Sequence, residues 1–284
     1  MLEKLYLRRK LEQFLMEDIG HSDITTEGLG VDKNVSASII AKEEGIIAGT
    51  EFAKEVFKIL DEKIKFPFCI KDGTYVNRGD EILNLEGSAC SILKGERVAL
   101  NILQRLSGIA TTTSRFVEKI KGLKTKILDT RKTTPGFRAF EKYAVTVGGG
   151  LNHRFALYDM VMIKDNHIAV SGGIKEAVER IKRNVSPMVK IEVEVSDLDQ
   201  LIEAVSLNVD IIMLDNMSLD MLKEAVHIVN GRVLLEASGN ITLDNVKEVA
   251  LTGVDFISSG SIIHSSKWLD LSLKIQNIEQ EEIR

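Results

Sequence analysis

Positions 129–136 read Asp-Thr-Arg-Lys-Thr-Thr-Pro-Gly, directly behind the apolar pair Ile127 and Leu128. An apolar run that ends in Arg131 and Lys132 sets two adjacent cations at the end of a strand, in a chain of net charge −5. Between positions 131 and 164, Arg131, Lys132, Arg138, Lys142, Arg154 and Lys164 stand against only Glu141 and Asp159. Such a concentration needs counter-anions. A small, multiply anionic ligand would supply them, and arginine suits two-pronged recognition of carboxylate or phosphate. The alternative is a solvated basic face, but Arg131, Lys132 and Lys164 each follow an apolar run.

Two small-residue turns are candidates for phosphate. Ala237-Ser238-Gly239-Asn240 and Ser258-Ser259-Gly260-Ser261 each lie between an apolar run and a helical pattern, where free backbone N–H groups face an anion. The run Gly148-Gly149-Gly150 fits neither the P-loop nor the dinucleotide fingerprint, so it reads equally as a flexible loop. Lys190, Glu192 and Glu194 alternate on one face of a strand pattern. Charges there are costly unless paired. Glu194, with Asp215, is a candidate for ribose hydroxyls or a divalent cation such as Mg²⁺; an ion pair with Lys190 or Lys164 is the competing reading. His153 and His167 fall near the cations without a second His or Cys at metal spacing, which argues against zinc. His21 and His227 read as incidental, and no Ser lies in a nucleophile elbow.

Two textures of sequence must position these groups. Residues 2–17 carry an amphipathic helical pattern, and 35–87 mix short apolar runs, turns and one helical stretch, 51–63. The segment 96–120 reads as a helix interrupted by Gly108. From there, apolar runs at 125–130, 160–164, 189–195, 210–215, 232–237 and 254–259 alternate with helical patterns. That rhythm predicts βαβ units and a parallel sheet. The same step separates Glu194 from Asp215 and Asp215 from Glu236, which favours a barrel, shorter than the eight units of a complete one. In such barrels the site lies at the C-terminal strand ends, where Arg131, Lys132, Lys164, Glu194, Asp215, Glu236 and Ser259 are expected to form a rim.

Composition narrows the class. The 284 residues are 44% hydrophobic and 28% charged, as in a soluble globular protein. The negative balance argues against a nucleic-acid surface. Cys69 and Cys90 have no metal spacing, no apolar stretch approaches the roughly 18–20 residues of a membrane span, and the N-terminus lacks a signal-peptide core. A cytoplasmic protein without a membrane partner is expected.

The stretch 129–168, from Asp-Thr-Arg-Lys-Thr-Thr-Pro-Gly through Gly148-Gly149-Gly150-Leu151-Asn152-His153-Arg154 to Lys164-Asp165-Asn166-His167, resembles the signature of the quinolinate phosphoribosyltransferase family. The likeness extends to 17–25, 41–49, 95–113, Ile191–Val195, 212–216, 236–242 and 253–275. It implies an N-terminal α/β sandwich domain (1–108) followed by an open, incomplete TIM-like (β/α) barrel (109–272), with a tail (273–284) packing back on the first domain. It implies transfer of phosphoribose from phosphoribosyl pyrophosphate (PRPP) to quinolinate with loss of CO2, using Mg²⁺ and no organic cofactor. Arg131, Lys132, Arg154 and Lys164, with His153 nearby, would form the dicarboxylate pocket, and Thr130 and His153 would be among the substrate-binding residues. Arg97 would enter from the partner of a homodimer. Glu194 and Asp215 would face ribose and Mg²⁺, while Ser238, Gly239, Asn240, Ser259, Gly260 and Ser261 would cradle the 5′-phosphate. Lys132, Lys164, Glu194 and Asp215 would be the catalytic set. Ala237 and Ser259 depart from common family residues. Asn152, where molybdenum-transport-associated relatives typically have Pro, favours the quinolinate enzyme over those relatives, and the carboxylates speak against a non-catalytic sensor.

Overall fold

The computed structural model describes residues 3–276. The chain divides into two compact units. The first comprises the described parts of Met1–Thr112, Ala139–Gly148 and Ser266–Arg284; the second comprises Thr113–Arg138 and Gly149–Ser265.

The first unit is an α/β sandwich built on a four-stranded antiparallel sheet. Its order is Leu271–Gln276, Asn34–Ala41, Glu81–Ser88, Lys65–Cys69. The strands Tyr75–Val76 and Glu81–Ser88 both form, but Tyr75–Val76 pairs with Gly45–Ile46 in a separate small sheet. Helix Thr50–Leu60 buries Phe52, Ala53, Val56 and Phe57, spaced to share one face. Helix Lys4–Ile19 buries Leu11 and Leu15.

Packing assigns two later segments to this unit. Helix Arg138–Val147 places the Phe140 ring 5.8 Å from that of Phe14 and 5.2 Å from that of Phe52. Its buried Glu141 accepts a hydrogen bond from Arg105 Nη2 at 2.7 Å. Leu271–Gln276 completes the sheet edge against Asn34–Ala41; residues 277–284 of the expected tail lie outside the described residues.

The interruption expected at Gly108 does not occur. A single helix runs from Ala89 to Lys119. A Cβ at Gly108 would lie 1.9 Å from Lys267 O, so the glycine admits a crossing segment of backbone rather than ending the helix.

The second unit is a six-stranded, all-parallel sheet in the order Lys126–Leu128, Phe256–Ser258, Leu234–Ser238, Ile211–Asp215, Ile191–Val195, Val161–Ile163. The two end strands are not neighbours in this order, so the barrel is open. Helices Ile174–Asn184, Leu198–Ser206, Leu219–Val229 and Val246–Leu251 alternate with the strands. In Ile191–Val195 the apolar residues Ile191, Val193 and Val195 share one face, leaving Glu192 and Glu194 on the other. No helix among the described residues is long and apolar enough to cross a membrane.

Candidate active site

The C-terminal ends of the parallel strands open into a cavity of about 780 Å³, contained within the second unit. Its lining includes Thr130, Arg131, Lys132, His153, Arg154, Lys164, Glu194, Asp215, Ser238, Gly239, Asn240, Ser259, Gly260 and Ser261. Arg97, on the exposed surface of helix Ala89–Lys119, is not among the lining residues.

One wall is cationic. The backbone N–H of Lys132 bonds Thr130 Oγ1 at 3.0 Å, so the turn after Lys126–Leu128 holds its own shape. Arg138 braces the two basic segments, donating to Thr133 Oγ1 at 2.9 Å and to Phe155 O at 3.2 Å. Arg154 Nη1 donates to Met160 O at 3.0 Å. Burial, then the neighbouring positive charge of Arg131, pulls the Arg154 pKa down. Like charges held this close favour an anionic ligand between them.

The strand ends supply the opposite charge. Lys164 Nζ pairs with Glu194 Oε2, so the ion-pair reading for Glu194 is realised with Lys164; Lys190 is exposed, outside the strand. Asp215 Oδ2 accepts from Asn216 Nδ2 at 2.8 Å. Both carboxylates line the cavity and are hard oxygen donors of the kind Mg²⁺ takes.

Two tight turns close the opposite side. Asn216, Gly239 and Asn240 have positive φ of 53°, 97° and 53°. Asn216 N donates to Ser238 O at 2.9 Å, and Asn240 Nδ2 donates to Asn216 Oδ1 at 3.0 Å, which joins neighbouring loops. In the second turn Ser259 Oγ donates to Ile241 O at 3.0 Å and lies 2.7 Å from Ser261 Oγ. A Cβ on Gly260 would come within 2.8 Å of Lys132 Cδ and 3.0 Å of His264 Cδ2. Glycine is needed here for Lys132 to lie across the turn.

Sequence reasoning passed over several lining residues: Met162, Met213, Asn216, Thr242 and His264. Asn216 had a readable signal, an Asn directly after an apolar run, the residue type that best tolerates positive φ. One histidine placed near the cations and one expected rim residue are elsewhere. His167 lies in the first turn of helix Asp165–Ser171, where its Nδ1 accepts from Lys164 N at 3.0 Å. Glu236 sits two residues before the end of Leu234–Ser238, fully buried and absent from the cavity lining. The alternation of a strand carries it inward and beneath the floor, beside Glu192 and His153. These three are the metal-ligand-type cluster found among the described residues, with ligand atoms all within 4.8 Å.

An open parallel α/β barrel that gathers cations, paired carboxylates and glycine turns around one cavity defines an enzyme acting on small, multiply anionic, phosphate-bearing substrates. The chain belongs to the quinolinate phosphoribosyltransferase family: the family's C-terminal domain matches residues 109–274 and its N-terminal domain residues 23–107. It is similar to the probable nicotinate-nucleotide pyrophosphorylase (carboxylating) of Synechocystis sp., 46% identical over 268 residues, covering 93% of this chain and 91% of that protein. The corresponding Bacillus subtilis protein is 45% identical over 274 residues, covering 96% and 95%. Among solved structures, the nicotinate-nucleotide pyrophosphorylase of Francisella tularensis superposes with a TM-score of 0.93 at 44% identity, covering 97% of this chain and 98% of that one.

Proposed function

We propose that the chain transfers phosphoribose from PRPP to quinolinate with decarboxylation, forming nicotinate mononucleotide, pyrophosphate and CO2 for NAD synthesis. The observation that carries this reading is one cavity lined by Arg131, Lys132, Arg154 and Lys164 and floored by the two turns around Gly239 and Gly260. Such a site matches a dicarboxylate beside a phosphorylated sugar in charge and in shape.

In this reading the cations orient the quinolinate carboxylates and hold the ring nitrogen toward ribose C1. The Ser238–Asn240 and Ser259–Ser261 turns hold the 5′-phosphate through backbone N–H groups and hydroxyls. As the C1–O bond to pyrophosphate breaks, C1 gains positive charge that Glu194 and Asp215 stabilise, while Lys132 and Lys164 face the departing anion. The nitrogen lone pair forms the new bond to C1, leaving the ring cationic. The adjacent carboxylate then leaves as CO2, its bonding electrons held beside N⁺ until a proton replaces it. A divalent cation such as Mg²⁺, held by Asp215 and Glu194 together with phosphate oxygens, supplies further charge neutralisation when bound.

Arg97 completes the site from the partner of a homodimer in this proposal. Its exposure in the single chain and its absence from the cavity lining accord with a role across an interface. Arg97→Ala and Lys132→Ala proteins, mixed under conditions of demonstrated subunit exchange, then recover part of the activity that each lacks; no recovery argues against a shared site.

The deciding experiment incubates the protein with PRPP, Mg²⁺ and either quinolinate or nicotinate, following nicotinate mononucleotide, pyrophosphate and CO2. Product from quinolinate alone is expected. Product from nicotinate, or none from folded protein with either acceptor, overturns the assignment.

A further inference from the structure

Below the cavity floor lie two ionisable groups that the proposed chemistry does not use, Glu192 and Glu236, set against the lining residue His153. Glu192 and Glu236 are fully buried, and their four carboxylate oxygens lack hydrogen-bond partners of ordinary geometry. Leaving a buried polar group unsatisfied costs about 1–3 kcal/mol, and more for a charge. The hydrogen-bonding groups beside them include the His153 ring and, at Glu236, the Ser258 hydroxyl. His153 Nε2 lies 3.1 Å from Glu192 Oε2 and 3.5 Å from Glu236 Oε2.

The other ring nitrogen has a different task. His153 Nδ1 accepts the backbone N–H of Arg154 at 2.6 Å, while His153 N donates to the buried Asp129 Oδ1 at 2.8 Å. A ring nitrogen that accepts carries no proton, so the proton of a neutral imidazole sits on Nε2, the ring atom beside the two carboxylates. This also decides between a proton and a metal ion as the occupant of the cluster. A metal at Nε2 would require the ring to lose its remaining proton while Nδ1 still accepted.

We infer that Glu192 and Glu236 are positioning residues that hold His153 as the neutral Nε2–H tautomer, so that its Nδ1 fixes Arg154 at the acceptor side of the cavity. The inference rests on the reading of this cavity as the quinolinate site. The charged and titratable groups around the ring include Asp129, Arg154, Glu192 and Glu236, with Lys164 acting on Glu236. Burial, then the Glu192 charge, pushes the Glu236 pKa up to about 8. That leaves Glu236 neutral near pH 7. His153 therefore contributes no charge to the dicarboxylate pocket, which depends on Arg131, Lys132, Arg154 and Lys164.

The test has two arms. In ¹⁵N-histidine-labelled protein, with the signal assigned by its loss in His153→Gln, His153 is expected to keep the Nε2–H pattern from pH 6 to pH 8, across the ordinary imidazole pKa of about 6.5. An imidazolium or Nδ1–H pattern near neutrality overturns the inference. In the second arm, Glu192→Gln is expected to raise KM for quinolinate by about tenfold while KM for PRPP stays within about twofold, and Glu236→Gln, which keeps a neutral donor, leaves both near wild type. Equal changes in both KM values for Glu192→Gln also overturn it. If Glu192→Gln does not fold, the spectrum of the unmutated protein still decides. If quinolinate proves not to be the acceptor, the kinetic arm is silent while the tautomer remains readable, so the two failures are distinguishable.

Discussion

Lys164 and Glu194 form an ion pair across neighbouring parallel strands, at the point where the chain leaves the barrel interior for the cavity. Each restrains the other, and both present their remaining polar capacity to the same volume. The pair therefore combines an anion-binding cation with a carboxylate facing the sugar, held at a fixed separation by two rigid strands.

Replacing Lys164 with Ala removes a charge-assisted contact and leaves Glu194 without its partner. The expected loss is about 2–4 kcal/mol of transition-state stabilisation, roughly a hundredfold to a thousandfold in kcat/KM. Steady-state kinetics of pyrophosphate release checks it, and unchanged kcat/KM would remove Lys164 from the catalytic set.

Gly239→Ala should damage the phosphate turn. Its φ of 97° is strained for any L residue, and the new Cβ would lie 2.2 Å from Asn216 Oδ1 and 2.9 Å from Asn216 N. Strain of about 1–3 kcal/mol is expected, read as KM for PRPP rising about tenfold or more with a smaller change for quinolinate.

Gly108→Ala separates two accounts of the same residue. Helix propensity alone predicts stabilisation by about 1 kcal/mol. The overlap with Lys267 O, 1.9 Å from the new Cβ, predicts destabilisation by about 1–3 kcal/mol or more. Denaturant unfolding of Gly108→Ala should give the second sign.

The buried Glu236 makes stability depend on pH. Its pKa is raised from 4.5 to about 8 in the folded chain, so between these values the native state binds more protons than the unfolded state. Its contribution is complete below pH 4.5, declines as pH rises, and is lost by about pH 8. Glu236→Gln has no such proton to lose, so its stability relative to wild type should improve progressively from pH 5 to pH 8. A pH-independent difference in unfolding free energy would contradict the shift.

Much of the second unit was legible because its apolar runs alternate with amphipathic helices; each expected run overlaps an observed strand. The opening helix and Thr50–Leu60 were readable from the same periodicity. Local pattern could not assign partners: the strands at 75–76 and 81–88 joined different sheets, and Arg138–Val147 packed with the first unit because Phe140 found its aromatic neighbours there.

By itself, the sequence determined the cationic segments, the glycine turns and the strand rhythm, because residue type and spacing depend only on the chain. Tertiary structure alone decided which polar residues reach the cavity. Glu194 and Glu236 both follow apolar residues on parallel strands, yet Glu194 meets Lys164 at the cavity and Glu236 lies buried under the floor with Glu192 and His153. Register pairs both residues with Met213, so their place in the sheet does not separate them; what differs is the side chain each one meets, Lys164 for Glu194 and His153 for Glu236, and those meetings join segments distant in sequence.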